Sequence, residues 1–395
     1  MISKIIFIAL TFLLSSCSYK AAVQGDLTEN HEIIWSGKPV KNIILMIGDG
    51  MGAEHRRVAR LIHKGESAEL AMDRLAVKGQ VRTSAFNGVL TDSAAAATAM
   101  ATGQKTANGV IGLSPQLNHL ENIIQAAQSR GKATGLVTTT QITHATPAAF
   151  VAHTGSRKNM SEIARQIGSS EVDVLMGGGE IYFLPDGDKG CFEKKGVRKD
   201  KLNLIKMLQS SGYTYVCNQA ALEKLNARSP QRLLGLFAPE DLKRPFSPEL
   251  ALMTRKSIEL LSQNPNGFFL MVEGGQIDWA SHGNESENVM QSLQGFDQAV
   301  EIAWDFVSSR DDTLLIVTAD HETGGLQVNK QAGHEGPFIS SSGQGFFIDW
   351  TTHDHTAVNV PLTADGPMSE LLRGEIDNTY IYQVMLKAVE STESN

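Results

Sequence analysis

The clearest pattern along the chain is a short apolar run that ends abruptly in acids, histidines or glycines. It occurs five times, in "NIILMIGDGMG", "GLVTTTQITHATP", "VDVLMGGGE", "GFFLMVEGGQIDWASH" and "DTLLIVTADHETGG". Continuous apolar runs of this length are typical of strands that are buried on both faces. Amphipathic segments, such as residues 121–129 and 287–308, alternate with these runs and predict helices. We therefore expect an α/β fold of three layers, in which helices cover both faces of a large, mostly parallel central sheet.

A different pattern, "TDSAAAATAMATG", fills residues 91–103. Alanine is the best helix former, so this run predicts a helix over residues 94–101, with Gly103 at its C-terminal end. Asp92 and Ser93 then lie at the helix N-terminus, where both residue types are preferred caps. The same position favours a bound anion and an ionised serine hydroxyl, because unpaired backbone N–H groups and the helix dipole meet there. The stretch by itself leaves a simple cap and a reactive serine as alternatives.

Side chains that can carry chemistry follow four of the five predicted strands. They are Asp49, His144, Thr146, Glu273, Asp278, His282, Asp320 and His321. In an open parallel sheet, ligands bind at the carboxyl ends of the strands, so we expect these side chains to converge on one edge. Clustered carboxylates repel each other, and bound cations remove that penalty. Mixed histidine and carboxylate ligands favour zinc, whereas sets with oxygen ligands alone favour magnesium.

The first residues carry an export pattern. One lysine is followed by an apolar run over residues 5–14 and then by small residues, which is typical of a secretory signal and too short to span a membrane. We expect a signal peptide over residues 1–17, a tether over residues 18–35 and the folded domain over residues 36–395. The stretch "LLSSC" resembles a lipobox, which would leave a lipid on Cys17; ordinary cleavage near "AAVQG" is the alternative.

Export makes the two other cysteines, Cys191 and Cys217, candidates for a disulfide. The bridge would close a loop of about 26 residues and contribute about 3 kcal/mol to stability. Two free thiols are the alternative. Both cysteines lie in a segment over residues 186–247 that is rich in charges and turns. We expect this segment to be a charged insertion, either a solvated excursion or part of the active-site rim or of a dimer surface.

Composition excludes one class of function. The chain has 395 residues, of which 42% are hydrophobic and 20% are charged, an ordinary balance for a globular protein. Its formal net charge is -8, and its lysines and arginines form no basic stripe of the kind that nucleic-acid binding requires. We therefore expect no nucleic-acid partner.

Six motifs in order resemble those of the alkaline phosphatase family. They are "IGDGMG", "TDSAAAATA", "THATPAAFVAHTGSRK", "VEGGQIDWASH", "TADHETGG" and the weaker "HDHTAVNVPLTADGP", and the resemblance covers about residues 41–386. It implies an enzyme that hydrolyses phosphate monoesters through a phosphoserine intermediate, with two zinc ions and one magnesium ion, commonly as a homodimer. With the export signal, the expected location is the periplasm, the outer membrane through a lipid anchor, or the medium.

The resemblance also implies three sets of metal ligands. They are Asp278, His282 and His355 for one zinc ion, Asp49, Asp320 and His321 for a second zinc ion, and Asp49, Thr146 and Glu273 for magnesium. Asp49 would then bridge two metals. His353 is an alternative to His355, which we prefer because "TAVNVPL" follows it, as it follows the family's ligand.

Around the phosphoryl group, the resemblance assigns roles to four more residues. Ser93 would be the nucleophile, and Arg157 would grip two phosphate oxygens as a fork. Asp92 would hold Arg157 in place. His153 would hold the metal ligands in place without contacting a metal itself.

Two further positions vary within the family and are His144 and Trp279 in this chain. His144 lies near the magnesium site and leaves the identity of the third metal open. Trp279, directly after a zinc ligand, has no charge to offer phosphate. A weaker hold on substrate and product, and faster product release, would follow.

Other functions fit the sequence less well. A sulfatase of the same superfamily typically needs a Cys/Ser-x-Pro-x-Arg motif that "DSAAA" lacks, and a phosphodiesterase would more often use a threonine nucleophile and lack the Arg157 clamp. A non-catalytic metal-binding or phosphate-binding protein would not need Ser93. No G-x-S-x-G surrounds a serine, and "GDGMG" does not complete a dinucleotide-binding motif. Because none of the assigned residues contacts the alcohol, we expect broad specificity, with activity that rises at alkaline pH.

Overall fold

The computed structural model describes residues 37–226 and 232–391. The expected signal peptide over residues 1–17, with Cys17, and the tether over residues 18–35 lie outside the described residues. Within the described ranges, no helix combines the length and the apolar character that a membrane crossing requires.

Fifteen strands occur in the described ranges, and the five apolar runs correspond to the first, third, fourth, seventh and eighth of them. In chain order they are β1 (Asn42–Gly48), β2 (Val77–Arg82), β3 (Ala133–Gln141), β4 (Val174–Gly178), β5 (Tyr213–Val216), β6 (Arg232–Leu236), β7 (Phe268–Gly274), β8 (Thr313–Thr318), β9 (Glu322–Thr323), β10 (Gln327–Asn329), β11 (Glu335–Ile339), β12 (Gly345–Asp349), β13 (His355–Thr356), β14 (Val360–Asp365) and β15 (Gly374–Asp377).

Helices separate the first eight strands from one another, and one helix follows the last strand. They are α1 (Ala53–His63), α2 (Ser93–Thr102), α3 (Ile123–Ser129), α4 (Ala145–Ala149), α5 (Met160–Ile167), α6 (Leu204–Ser210), α7 (Gln219–Glu223), α8 (Leu250–Leu261), α9 (Gln276–His282), α10 (Ser286–Ser308) and α11 (Asn378–Glu390). The expected helix over residues 121–129 begins only at α3, because Asn122 and Gln125 form a reciprocal capping box with two hydrogen bonds of 3.0 Å.

Ten strands form one sheet, in the order β15-β2-β14-β8-β1-β7-β3-β4-β6-β5. Within this sheet, β14 is antiparallel to both of its neighbours, and the other pairs are parallel. All side chains of β1, β7 and β8 are buried. Because successive side chains of a strand point to opposite faces, these central strands are covered on both sides. The expected α/β architecture with a large, mostly parallel sheet is confirmed.

Helix α2 confirms the structure predicted for the alanine run. All ten of its residues are buried, and the Asp92 side chain caps it by accepting a hydrogen bond of 2.9 Å from the Ala95 N–H. Gly103 ends it with φ of 73°. A Cβ atom there would lie 2.6 Å from the Tyr382 ring. Glycine is therefore required both by the backbone conformation and by close packing against α11.

Residues 186–247, where we expected a charged insertion, contain α6, β5, α7 and β6. Strand β6 pairs with β4, and β5 pairs with β6, so part of the segment extends the central sheet to its edge. Cys191 and Cys217 are joined by a disulfide, which ties the turn-rich part of the segment to the chain just after β5.

We predict that the double variant Cys191→Ser/Cys217→Ser is less stable by about 3 kcal/mol, because the unfolded chain regains the entropy of a loop of 26 residues. Equilibrium urea unfolding of the oxidised wild type and the variant measures this difference. A reductant should destabilise the wild type and leave the double variant unchanged. Equal stability of the two proteins would contradict the prediction.

Candidate active site

The order of strands brings the expected polar side chains to one edge of the sheet. Strand β1 lies between β7 and β8, and all three run in the same direction. Asp49 follows β1, Glu273 lies near the end of β7, Asp278 lies on α9 directly after β7, and Asp320 follows β8. Four acids from three separate parts of the chain therefore meet at the carboxyl edge, where parallel sheets bind ligands.

The first group consists of Asp278, His282 and His355. The Nε2 atoms of His282 and His355 lie 3.4 and 3.5 Å from Asp278 Oδ1 and 3.2 Å from each other. Zinc bonds of about 2.0–2.2 Å in tetrahedral geometry place neighbouring ligand atoms about 3.3 Å apart. Each Nδ1 contacts a backbone carbonyl, that of His353 for His282 and that of Thr91, at 2.8 Å, for His355. Both Nε2 atoms are thus left to face a cation.

The second group consists of Asp49, Asp320 and His321. His321 Nε2 lies 3.5 Å from Asp49 Oδ1 and 3.3 Å from Asp320 Oδ2. It also lies 3.2 Å from the Ser93 hydroxyl oxygen, which is 2% exposed. The His321 ring stacks on that of His355 with centroids 3.6 Å apart, so the first two groups adjoin each other.

The third group consists of Asp49, His144 and Glu273. Asp49 is thus shared with the second group. Glu273 accepts a hydrogen bond from the Thr138 hydroxyl. Thr146, which the resemblance assigned to this site, is buried, and its hydroxyl has no hydrogen-bond partner among the described residues. The structure therefore adds His144 to the candidate ligands at this position.

Several buried polar atoms at this edge have no hydrogen-bond partner within the described part of the chain. They are both carboxylate oxygens of Asp49, Oδ2 of Asp320, Oε1 of Glu273, Oγ1 of Thr146 and Nδ1 of His144. Leaving a buried acceptor unpaired costs about 1–3 kcal/mol, and more when it is charged. Cations coordinated by these atoms would remove the cost, so the residues fit metal ions in both number and chemistry.

The crowding of charge shifts the pKa values of these acids. Burial and the neighbouring Asp320 raise the pKa of Asp49 well above its ordinary value. Burial also raises the pKa of Glu273 to about 7. Burial is the largest influence on Asp278 and acts in the same direction, but the hydrogen bond with His355 and the charges of His321 and His282 together outweigh it and hold the pKa of Asp278 well below its ordinary value. The histidines of the first group thus balance its acid, whereas Asp49 and Glu273 in the other two groups are not balanced in this way.

Arg157 lies beside the helix terminus that presents Ser93. Its Nη1 donates to Oδ2 of Asp92 at 3.1 Å, and its Nη2 lies 3.3 Å from Nε2 of His144. Asp92 Oδ2 also accepts a hydrogen bond of 2.9 Å from the Gly109 N–H. The N-terminus of α2 and the guanidinium group together form a site for an anion such as a phosphoryl group.

Two other expected residues lie around this centre. The rings of Trp279 and His144 meet edge to face with centroids 5.5 Å apart. His153 stacks on His119 with centroids 4.5 Å apart, and its Nε2 lies 2.8 Å from the carbonyl oxygen of Leu120. These contacts join His153 to the loop before α3, and its support of the metal ligands stays a prediction.

Two threonines were not among the expected site residues. Thr323 donates a hydrogen bond of 2.5 Å to Asp278 Oδ1 and lies 3.2 Å from Nδ1 of His321. Its place within "TADHETGG" was a signal for it. Thr138 reaches Glu273 because the two residues are opposite each other in the pairing of β3 with β7. No local pattern distinguishes Thr138 from the two threonines that follow it.

Together, the fold and the three groups of candidate ligands place this chain among α/β proteins with a candidate metal centre at the carboxyl edge of the sheet. A family model described as alkaline phosphatase matches residues 40–348 and 328–391. The chain belongs to the alkaline phosphatase family and is a phosphoric monoester hydrolase. The resemblance of the six motifs is thereby confirmed.

Individual relatives match over most of the chain. Alkaline phosphatase 4 of Bacillus subtilis is 34% identical, with 89% of each chain covered. The structure of alkaline phosphatase from the Antarctic bacterium TAB5 is 31% identical with a TM-score of 0.79, covering 90% of this chain and 100% of that one. A TAB5 variant in which a histidine is replaced by glutamate, with Mg bound in its M3 site, is 30% identical with a TM-score of 0.76, covering 90% and 99%.

We predict that in metal-free protein, Glu273→Gln gains stability relative to wild type as the pH rises. The pKa of Glu273 is about 7 in the folded state against an ordinary value of 4.5. The folded wild type therefore binds the extra proton, and its free energy of unfolding falls between pH 4.5 and 7 and stays low above pH 7. Glutamine has no such dependence. Urea unfolding of EDTA-treated proteins at pH 5 and pH 8 measures the difference.

Stability is compared between Glu273→Gln and wild type, because buried histidines change the free energy of unfolding with pH in the opposite direction to Glu273. Burial lowers the pKa values of His55 and His144 to about 3, so their contribution is present above the ordinary pKa of 6.5 and is lost as the pH falls. Both proteins share this contribution, and it cancels. Glu223→Gln, at an exposed position on α7, is the matched control and should follow the wild type. A pH-independent difference between Glu273→Gln and wild type would contradict the prediction.

Proposed function

We propose that this protein is an exported alkaline phosphatase that hydrolyses phosphate monoesters of broad specificity through a phosphoserine intermediate. The observation that carries the proposal is the position of Ser93. Its hydroxyl lies at the N-terminus of α2 and 3.2 Å from His321, beside carboxylate and imidazole atoms that have the mutual spacing of zinc ligands. A buried nucleophile next to metal ligands and an arginine is the arrangement that phosphoryl transfer requires.

The proposed metal set is two zinc ions and one magnesium ion. The first two groups, which mix histidine and carboxylate ligands, would hold zinc, and the group around Glu273 and Thr146 would hold magnesium. Bound there, the metal ions would supply Lewis-acid stabilisation for the attacking and leaving oxygens. His144 offers a nitrogen ligand to the third group. Of the three metals, the identity of this one therefore depends most on which residue the chain has at that position. A similar protein, the TAB5 variant with a glutamate in place of a histidine, holds Mg in its M3 site.

The reaction would proceed by two displacements at phosphorus. Ser93 loses its proton as its oxygen bonds to phosphorus, and the bond from phosphorus to the alcohol oxygen breaks, so that the alcohol leaves with a proton. Water then attacks the phosphoserine, releases inorganic phosphate and returns a proton to Ser93. Helix α2 is buried along its whole length, so the serine is held in position for both steps.

Arg157 would hold the transferred group during both displacements. Its hydrogen bond to Asp92 and its contact with His144 fix the guanidinium plane beside Ser93. A planar fork of donors matches two phosphoryl oxygens, and these hydrogen bonds strengthen where charge collects in the transition state. Asp92 thus both caps the helix that carries the nucleophile and positions the arginine.

The protein would be exported and would assemble as a homodimer. The signal pattern supports secretion across a membrane, with the mature protein in the periplasm, on the outer membrane through a lipid on Cys17, or in the medium. Residues 36–395 would form the phosphatase domain. A homodimer is proposed from the family resemblance alone.

We predict that the metal-loaded protein hydrolyses p-nitrophenyl phosphate, with turnover that rises from pH 7 to pH 10. Ser93→Ala should lower kcat by at least about 10³-fold, because the covalent route is lost while metal and phosphate binding remain. EDTA should abolish the wild-type activity, and zinc plus magnesium should restore it.

Ser262→Ala, at an exposed position after α8, is the matched control and should retain full activity. A protein that contains zinc by elemental analysis but does not hydrolyse the monoester would refute the proposal. Diesters and sulfate esters would then be the next substrates to test.

A second prediction concerns Trp279. Replacing it with lysine places a cation near the phosphoryl site, so Trp279→Lys should bind inorganic phosphate about fivefold more tightly, equivalent to about 1 kcal/mol. The inhibition constant of phosphate measures this, and kcat should fall if product release becomes slower. Trp304→Lys, on α10, is the control. An unchanged inhibition constant in Trp279→Lys would show that Trp279 does not determine the affinity for phosphate.

A further inference from the structure

An open cleft of about 1010 Å³ adjoins the candidate active site. Trp279 lines one side of it, and the chain that follows β6, including Phe237, lines another. Since α9 and the chain after β6 both begin at the carboxyl ends of parallel strands, the cleft opens on the same edge as the metal ligands. Sites for drug-sized ligands have volumes of roughly 300–1,000 Å³, so this space is large enough for a substantial organic group.

The cleft is connected to the phosphoryl site through two contacts. Trp279 meets the His144 ring edge to face, and Nε2 of His144 lies 3.3 Å from Nη2 of Arg157. Trp279 and the cleft therefore lie one side chain away from the arginine that would hold the phosphate. The space beyond Trp279 is where a large leaving group has room to lie.

Three aromatic side chains line the cleft. Trp279 and Phe192 are half-buried, and Phe237 is 6% exposed. Flat rings gain dispersion and stacking energy on such a surface, whereas a short polyol such as glycerol gains little. The aromatic lining thus favours a planar leaving group.

Hydrogen bonds to Glu180 hold the part of the cleft wall that carries Phe192. The fully buried carboxylate of Glu180 accepts hydrogen bonds from the backbone N–H groups of Cys191, at 2.7 Å, and Phe192, at 3.3 Å, and from the Tyr215 hydroxyl at 2.6 Å. The Cys191–Cys217 disulfide anchors the same turn. The wall is therefore ordered before a ligand binds, which lowers the entropic cost of binding.

The chain over residues 242–244, which also lines the cleft, is fastened to α9. Gln276 donates to the carbonyl oxygens of Leu242, at 2.5 Å, and Thr139, at 3.0 Å, and it accepts a hydrogen bond of 3.1 Å from Arg244. Both parts of the wall are thus held by buried or half-buried polar contacts. A loop without such contacts would have no defined surface for recognising a ligand.

One cation in the cleft is free to bind a ligand. Lys194 is paired with Glu240, and Arg244 faces Glu285 at 3.9 Å. Lys243 is exposed and has no hydrogen-bond or ion-pair partner among the described residues. An ammonium group that lines the same cleft as aromatic rings can donate hydrogen bonds to a ring with acceptors, such as the nitrogens of a nucleobase.

We propose that this cleft is a leaving-group subsite that selects monoesters of nucleoside-sized, heteroaromatic alcohols over those of small alcohols. The inference rests on the proposed phosphatase function and extends it. Broad specificity still holds, because the phosphoryl contacts are common to all substrates, and the cleft adds a graded preference. Phe192 and Lys243 are the residues that set the preference.

The test compares adenosine 5′-monophosphate with glycerol 1-phosphate. Both leave as primary alcohols, so the chemical barrier is similar, and kcat/KM covers every step up to release of the alcohol. The wild type should prefer the nucleotide. Phe192→Ala should lower kcat/KM for the nucleotide by at least about fivefold, the loss expected for one base-aromatic stack, and leave glycerol 1-phosphate unchanged.

Controls separate recognition from folding. Phe338→Ala, an aromatic residue of β11, makes the same substitution away from the cleft and should leave both substrates unaffected. Lys243→Ala should reduce the nucleotide preference without affecting glycerol 1-phosphate. Equal kcat/KM changes for the two substrates in Phe192→Ala, or no preference in the wild type, would overturn the inference.

The affinity for free adenosine, measured by calorimetry, tests the cleft independently of turnover. The nucleoside has no phosphate, so it tests the cleft alone, and its affinity should fall at least about fivefold in Phe192→Ala. A protein that hydrolyses no monoester but binds adenosine in this way would refute the proposed function and support the cleft. A protein that hydrolyses monoesters but does not bind adenosine at millimolar concentration would support the proposed function and refute the cleft.

Discussion

Mutual repulsion among four buried carboxylates is the constraint on which the rest of this structure depends. Asp49, Glu273, Asp278 and Asp320 are all buried at the carboxyl edge of the sheet, and the charges of the other three raise the pKa of Asp49. Neither burial nor like charge favours their ionised forms. Histidines balance Asp278, but Asp49 and Glu273 have raised pKa values and unpaired oxygens. An arrangement this unfavourable for the bare protein is well suited to binding divalent cations.

The sheet and one helix make this arrangement rigid. The central strands β1, β7 and β8 are buried throughout, so the residues at their ends have little freedom to move apart and relieve the repulsion. The alanines of α2 let that helix pack closely on all sides, which fixes Ser93 beside His321. Asp92 links the two parts, since it caps the helix and holds Arg157. Nucleophile, anion site and metal ligands are therefore positioned by one set of packed elements.

Local pattern was enough to predict most of the elements. The five apolar runs are strands because uninterrupted β-branched and apolar residues suit burial on both faces, and the alanine run is a helix that ends at Gly103. Boundaries were less predictable, as the start of α3 shows, since a capping box at Asn122 fixes it. The segment over residues 186–247 was harder still. Its two strands are short and lie at the sheet edge, so their hydrophobic signal is weak among many charges.

The sequence by itself determined the α/β class, the family and the kinds of side chain at the strand ends, because these depend on local periodicity and on motifs that are contiguous in the chain. The sequence favoured His355 over His353 and left the pairing of Cys191 with Cys217 open; the tertiary structure decided both, and it decided that His144 joins Asp49 and Glu273. It also decided that Phe192 and Trp279 line one cleft. These outcomes depend on strand register and on contacts between residues far apart in sequence, and no local pattern encodes either.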